Sequence, residues 1–134
     1  MVAVIDNGVG WLHPDLNATL MWENPDEVWD DGIDNDANGY VEDTYGWDFV
    51  DGDSFPMDQN THGSHVAGIV GAVRDNGWGT CGTARDVKVL PSRLLNTFGS
   101  VTVADTAPIM GYLVNLRNQG HPIFIANASY DGPV

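Results

Sequence analysis

Short apolar runs alternate with helix-like patterns along the chain and predict an α/β protein. Residues 2–5, 87–90 and 123–126 are largely apolar, rich in β-branched side chains, and bounded by polar or turn-forming residues, as in buried strands. Residues 62–73 and 105–118 carry apolar side chains spaced three and four apart, which predicts two helices. This alternation favours a three-layer fold, in which helices flank both faces of a mainly parallel sheet.

Pro108 constrains where the second helix begins. Proline has no amide hydrogen and is tolerated mainly in the first turn of a helix. We therefore expect this helix to start near Thr106 or Ala107.

Residues 23–60 depart from the alternation of strands and helices. The segment is polar, acidic and rich in glycine, and only residues 46–50 within it resemble a strand. A loop of this length is uncommon in a compact domain unless it is functional or binds a ligand. We interpret residues 1–134 as a single domain and residues 23–60 as an acidic insertion loop within it.

Charge and cysteine content narrow the classes of function. The formal net charge of −14 argues against nucleic acid and anionic membranes as partners. Cys81 is the only cysteine, so an internal disulfide is excluded, and we expect it to be a small buried residue. No apolar stretch is long enough to span a membrane, and the first residues show no signal-peptide pattern.

Oxygen-bearing side chains at alternate positions in the insertion loop predict a structural calcium site. Gly39 stands sixth in a series that begins at Asp34, as in the first half of an EF-hand loop, although Tyr45 replaces the glutamate at position twelve. The expected ligands are the side chains of Asp34, Asp36 and Asn38, the carbonyl of Tyr40, and Glu42 or Asp43. The alternative is a solvated loop rich in Asn, Asp and Gly.

Two separated motifs carry the candidate chemistry. Asp6 follows the first apolar run and precedes a glycine turn, whereas His62 opens the first predicted helix. A carboxylate at a strand end can fix the tautomer of an imidazole and stabilise its protonated form. Taken alone, Asp6 can be interpreted as a residue that forms a turn, and His62 as a residue that caps a helix. A zinc site at His62 and His65 is weaker, because no HExxH pattern surrounds them.

These motifs resemble those of the subtilisin-like serine proteases, the subtilase family. The matching segments are Val4-Ile5-Asp6-Asn7-Gly8-Val9, His13-Pro14-Asp15-Leu16 and His62-Gly63-Ser64-His65-Val66-Ala67-Gly68. The resemblance implies a partial subtilisin-like fold in which Asp6 and His62 are catalytic. The chain departs from the family pattern at Asn7, where the family has Ser or Thr, and at Asp131, where it has Gly.

The resemblance also implies binding residues, partners and a location. A polypeptide substrate would be bound by Gly99, Ser100, Asn127, Ser129 and Tyr130. A second calcium ion would be held by Asp15, Asn76 and carbonyl groups of residues 74–80. The resemblance further implies an extracellular protein.

The nucleophilic serine of the family, which stands in a Gly-Thr-Ser-x-Ala context, has no counterpart among these 134 residues. We therefore expect a part of a serine endopeptidase domain, truncated at both ends, with the remainder of the catalytic domain as its partner. Alone, this part is predicted to be inactive. The alternative is a catalytically inactive relative that binds calcium or peptide.

Overall fold

The structure is a computed structural model that describes residues 1–17, 20–96 and 103–130. Its elements, in chain order, are β1 (Val2–Asp6), a short 3₁₀ helix (Pro14–Leu16), β2 (Trp47–Asp48), α1 (His62–Gly71), β3 (Val89–Arg93), α2 (Val103–Asn118) and β4 (Ile125–Ala128).

The four strands form one parallel sheet in the order β2–β3–β1–β4. All five residues of β1 are buried, as expected for a strand covered on both faces, and the first four of them are apolar. Asp6 pairs with Arg93 of β3, and Ile5 pairs with Ala128 of β4. The carboxyl ends of these three strands therefore meet at one edge of the sheet, and Asp6 lies at that edge.

Alternate residues of β1 enter two separate hydrophobic clusters. Ala3 and Ile5 belong to a cluster that includes the buried face of α2, whereas Val2 and Val4 belong to a cluster that includes Ala67 of α1. Successive side chains of a strand point to opposite faces of its sheet. The two helices thus cover opposite faces, and the predicted three-layer α/β architecture is confirmed.

The start predicted for the second helix is wrong. α2 begins at Val103, so Pro108 lies beyond its first turn. The missing amide hydrogen leaves the Ala104 carbonyl without its usual donor four residues on. Both residues are exposed, so water can solvate that carbonyl, which explains why the helix continues through the proline.

Two smaller expectations concern Cys81 and membranes. Cys81 is exposed, so the prediction that it is buried is wrong. It follows a run of bends after α1 instead of lying in an element of the core. Neither of the two α-helices in the described residues combines the length and apolar character that a membrane span requires.

Candidate active site

Asp6 is held rigidly at the carboxyl end of the central strand. Its side chain is fully buried, and its Oδ1 accepts a hydrogen bond from the backbone amide of Asn7 at 2.8 Å. Its carbonyl oxygen accepts from the amides of Leu94 and Leu95, which follow β3, at 2.9 and 3.2 Å. The segment after β3 therefore fixes the backbone of Asp6, and the Asn7 amide helps to orient its carboxylate.

His62 is the first residue of α1, and its imidazole meets the Asp6 carboxylate. Nδ1 of the ring lies 2.8 Å from Oδ1 and 3.0 Å from Oδ2 of Asp6, across 56 residues of sequence. The contact expected between these side chains is thus present. The side chain of His62 remains 48% exposed. Because the carboxylate engages Nδ1, the other ring nitrogen, Nε2, is left for proton transfer.

Glycine makes this close approach sterically feasible. A Cβ atom on Gly63 would lie 2.1 Å from the Gly8 carbonyl oxygen and 3.1 Å from Cβ of Asp6. Gly8 has a φ of 100°, and a Cβ there would lie 2.6 Å from the backbone of Met57. The glycines beside Asp6 and His62 therefore allow the two segments to pack with backbone against backbone.

Asn7 contacts its surroundings in two directions. Its backbone amide donates to Asp6, while its side-chain amide donates to the carbonyl oxygen of Asn96 at 3.3 Å. The side chain thus joins the turn after β1 to the segment after β3, and the hydrogen bond to Asp6 comes from the backbone.

The residues expected to bind substrate are only partly described. Gly99 and Ser100, and also Asp131, lie outside the described residues. Asn127 pairs with Val4 in the sheet, so Ser129 follows β4 at the same edge as Asp6. Nδ2 of Asn127 donates to Oγ of Ser129 at 2.8 Å, and Tyr130 packs against the cluster that contains α2.

A second group of acidic side chains converges inside the insertion loop. One carboxylate oxygen each from Glu27, Asp36 and Asp43 lies within 4.8 Å of the others. Sequence reasoning selected Asp36 and Asp43 but missed Glu27. Glu27 precedes the alternating pattern, so no local signal marked it. His62 and His65 are not part of this group, which is the one cluster in the described ranges whose side chains are placed so that they could hold a metal ion.

Asp43 is the buried centre of this acidic group. Its Oδ2 accepts from the Tyr112 hydroxyl at 2.6 Å and from Nδ2 of Asn38 at 3.1 Å, and its Oδ1 accepts from Nδ2 of Asn24 at 2.8 Å. All three donors are neutral. Burial raises the pKa of Asp43 to about 6, although these hydrogen bonds act in the opposite direction. Desolvation likewise raises the pKa of Glu27.

The other predicted loop ligands bond to the backbone of the same segment. Asp34 accepts from the amides of Asn38 and Gly39, and Glu42 accepts from the amide of Gly32. The amide of Tyr40 donates to Oδ1 of Asn38 at 2.7 Å. These bonds fold the loop around Gly39, whose φ is 95°.

Asp15 and Asn76, the residues expected at a second calcium site, contact each other. Nδ2 of Asn76 donates to Oδ1 of Asp15 at 2.9 Å, and the amide of Thr80 donates to its Oδ2 at 3.1 Å. These two hydrogen bonds, with that from Asn76 the stronger influence, lower the pKa of Asp15. The turn at residues 74–80 therefore closes on this carboxylate.

Comparison with known proteins gives a consistent result. Residues 1–132 match the profile described as the Subtilase family. The chain is 34% identical over 122 residues to subtilisin-like protease 1 of Plasmodium vivax, which covers 91% of this chain and 19% of that protein. It is 37% identical over 111 residues to a thermophilic serine proteinase of Bacillus sp. (strain AK1), with 83% and 22% covered. Thermitase of Thermoactinomyces vulgaris is 37% identical over 101 residues, with 75% and 28% covered. The chain thus spans less than a third of each of these relatives.

Proposed function

This chain belongs to the subtilase family, and on that premise we propose that Asp6 and His62 are two members of an Asp-His-Ser triad in a serine endopeptidase. The observation that carries the proposal is the hydrogen bond between Nδ1 of His62 and the buried carboxylate of Asp6. In a triad, the carboxylate orients the imidazole and stabilises the imidazolium that forms.

The proposed chemistry assigns each atom of the pair a task. Nε2 of His62 accepts the proton of a serine hydroxyl as the serine attacks the peptide carbonyl, and later returns that proton to the leaving amine. Asp6 keeps the Nδ1 proton in place throughout. The serine would come from residues outside these 134, because no serine in the chain stands in the family's nucleophile context.

The proposed substrate is a polypeptide bound in extended form. Residues that follow β4 lie at the same edge of the sheet as Asp6, which favours a cleft along that edge. An extended peptide can pair with exposed backbone as an added strand, and we predict that Gly99 and Ser100 offer that backbone. Gly99, Ser100, Asn127, Ser129 and Tyr130 remain our prediction for the residues that line the cleft. An extracellular location also remains a prediction.

We further propose that the acidic group formed by Glu27, Asp36 and Asp43 holds a structural calcium ion. Its donors are carboxylate oxygens, the ligand type that calcium prefers. The raised pKa values of Glu27 and Asp43 reflect negative charge that burial leaves poorly compensated, and a divalent cation would compensate it. Asp34, Asn38, Tyr40 and Glu42, together with the pair Asp15 and Asn76, stay predictions for further ligands.

Substitution of the two triad members tests the proposed activity. In the protein that carries this sequence, we expect His62→Ala to lower kcat by about 10⁶-fold and Asp6→Asn by about 10⁴-fold, as for other triads. The measurement is turnover of a fluorogenic peptide. His65→Ala is the matched control, because His65 is an exposed residue one turn further along the same helix. Full activity of the His62→Ala variant would refute the proposal.

A further inference from the structure

The entry into α1 is strained where it leads to His62. Thr61, the residue before the helix, has a φ of 73°, and its side chain makes no capping hydrogen bond. A β-branched residue rarely adopts this left-handed conformation, so the surrounding contacts must hold it there. Those contacts therefore determine where the first helical residue, His62, is placed.

The Asp58 carboxylate supplies these contacts. Its Oδ1 accepts from the amides of Asn60 and Thr61 at 2.7 and 2.8 Å. Its Oδ2 accepts from the amide of Ser64 at 3.0 Å and also from the Ser64 hydroxyl. One side chain thus satisfies three backbone amides around the start of the helix, the task usually performed by an N-cap residue.

Ser64 extends this arrangement to the segment that carries Asp6. Because its hydroxyl donates to Asp58, its oxygen is available to accept, and it does so from the amide of Gly10 at 2.9 Å. The amide of Val9 donates to the Pro56 carbonyl at 3.0 Å beside it. The chain after Asp6 and the chain around His62 are therefore joined independently of the Asp6–His62 contact itself.

We propose that Asp58 is a positioning residue that acts through Ser64 to fix His62 against Asp6. The inference rests on the proposed role of His62 as the general base. The imidazole is 48% exposed, so packing alone does not immobilise it, and its direction depends on the backbone from Thr61 to Ser64.

The test compares Asp58→Asn and Ser64→Ala with a rescuing variant and a control. Asp58→Asn replaces an accepting oxygen by a donor, and Ser64→Ala removes the bridge to Gly10. Ser64→Thr keeps the hydroxyl and should behave like the unaltered protein. Gln59→Ala is the control, because Gln59 is an exposed neighbour of Asp58. In the protein that carries this sequence, kcat and KM are measured with a fluorogenic peptide, and the His62 ring is followed by NMR with ¹⁵N-labelled histidine.

We expect both disrupting variants to lower kcat by about 10²-fold with little change in KM, the size of effect typical of a misplacement near 1 Å. The NMR signal of the proton on Nδ1 of His62 should weaken in both and return in Ser64→Thr. A merely structural role predicts unchanged kcat and an unchanged ring signal in the folded Ser64→Ala variant, and that result would overturn the proposal.

The failure of the proposed function gives a different pattern. If His62 is not the base, Asp6→Asn and His62→Ala leave peptidase activity unchanged. The Nδ1 signal still reports whether Asp58 and Ser64 hold the imidazole on Asp6, because it does not depend on turnover.

Discussion

Two buried carboxylates, Asp6 and Asp43, differ in the kind of side chain that accompanies them. Both are inaccessible to solvent. Asp6 contacts an imidazole that can carry positive charge, and a backbone amide beside it. Asp43 contacts a phenol and two side-chain amides, all neutral, and lies close to two further acidic residues, Glu27 and Asp36.

The difference shows that the described residues supply Asp6 with a partner that can carry positive charge, whereas they supply Asp43 with neutral donors. Hydrogen bonds from neutral donors do not cancel the cost of burying a charge, so the pKa of Asp43 rises to about 6. The region around Asp6 contains its own partner for the carboxylate. The described side chains that donate to Asp43 are all neutral, so its negative charge would be compensated by a proton or, as we propose, by a calcium ion.

The largest expected effect is a loss of catalytic activity when Asp6, but not Asp43, is substituted. We expect Asp6→Asn to lower kcat/KM by about 10⁴-fold in the protein that carries this sequence, because the imidazole loses its orienting charge. Asp43→Asn should leave kcat/KM nearly unchanged when the protein is fully folded. Peptide hydrolysis measured for both variants at saturating calcium checks this contrast.

The contrast fails if Asp43→Asn reduces activity as strongly as Asp6→Asn while its circular dichroism spectrum is unchanged.

The chain of 134 residues alone should show no turnover, because it lacks the family's serine context. Turnover that a serine-directed phosphonate blocks would contradict this expectation.

A third buried carboxylate, Asp48, extends the comparison to a permanent cation. Arg93 contacts Asp48 and Asp51, and the Arg93 and Asp48 side chains are only 3% and 1% exposed. Removing one partner of such a pair leaves an uncompensated charge, which typically costs about 3–5 kcal/mol. We expect Arg93→Met to lower the free energy of unfolding by that amount in a urea titration.

The matched control for Arg93→Met is Arg85→Met, which removes an exposed cation four residues before the same strand. Equal losses in both variants would show that net charge, and not the buried ion pair, determines the effect.

Without metal, the contribution of Asp43 to the free energy of unfolding should depend on pH. Because its folded pKa is raised from 3.8 to about 6, the folded state holds this proton more tightly than the unfolded chain. Its contribution to stability is therefore favourable at low pH and is lost as the pH rises from about 4 to about 6, at a cost of about 3 kcal/mol.

Calcium should abolish this loss, because a bound cation replaces the proton. We expect the increase in Tm on adding calcium to grow between pH 4 and pH 7, measured by scanning calorimetry with and without chelator. The Asp43→Asn variant should show neither the pH dependence nor most of the calcium effect. A calcium effect independent of pH would contradict this account.

The sequence predicted the Asp6–His62 region well because its determinants are local. A buried strand fixes Asp6, the start of a helix fixes His62, and the glycines that permit their contact stand beside them in the sequence. Each feature is visible within a few residues, and the parallel sheet brings the two motifs together.

The acidic group was only partly predictable because its determinants are distant in sequence. Alternation identified Asp36, and Asp43 was one of two candidates to complete the shell, but Glu27 converges on them only after the loop folds back. Tyr112, which donates to Asp43, is 69 residues away on α2.

The start of α2 was also mispredicted, because the cost of Pro108 depends on whether the affected carbonyl reaches water. The local sequence pattern does not show this.

The smallest expected effect is that of removing one of the neutral donors to Asp43. Tyr112→Phe removes a hydroxyl that donates to this carboxylate and leaves the ring in the core. The hydrogen bond lowers the pKa of Asp43, so without it the pKa should rise further. At pH 7 without calcium, the variant should lose about 1.5–3 kcal/mol of unfolding free energy, the usual worth of a hydrogen bond to a charged group. At pH 4 the loss should be smaller, because the carboxyl group is then largely protonated in the folded state. Tyr40→Phe, whose ring packs against Tyr112, serves as the control, and equal losses at both pH values in Tyr112→Phe would show that the hydroxyl does not act through the charge of Asp43.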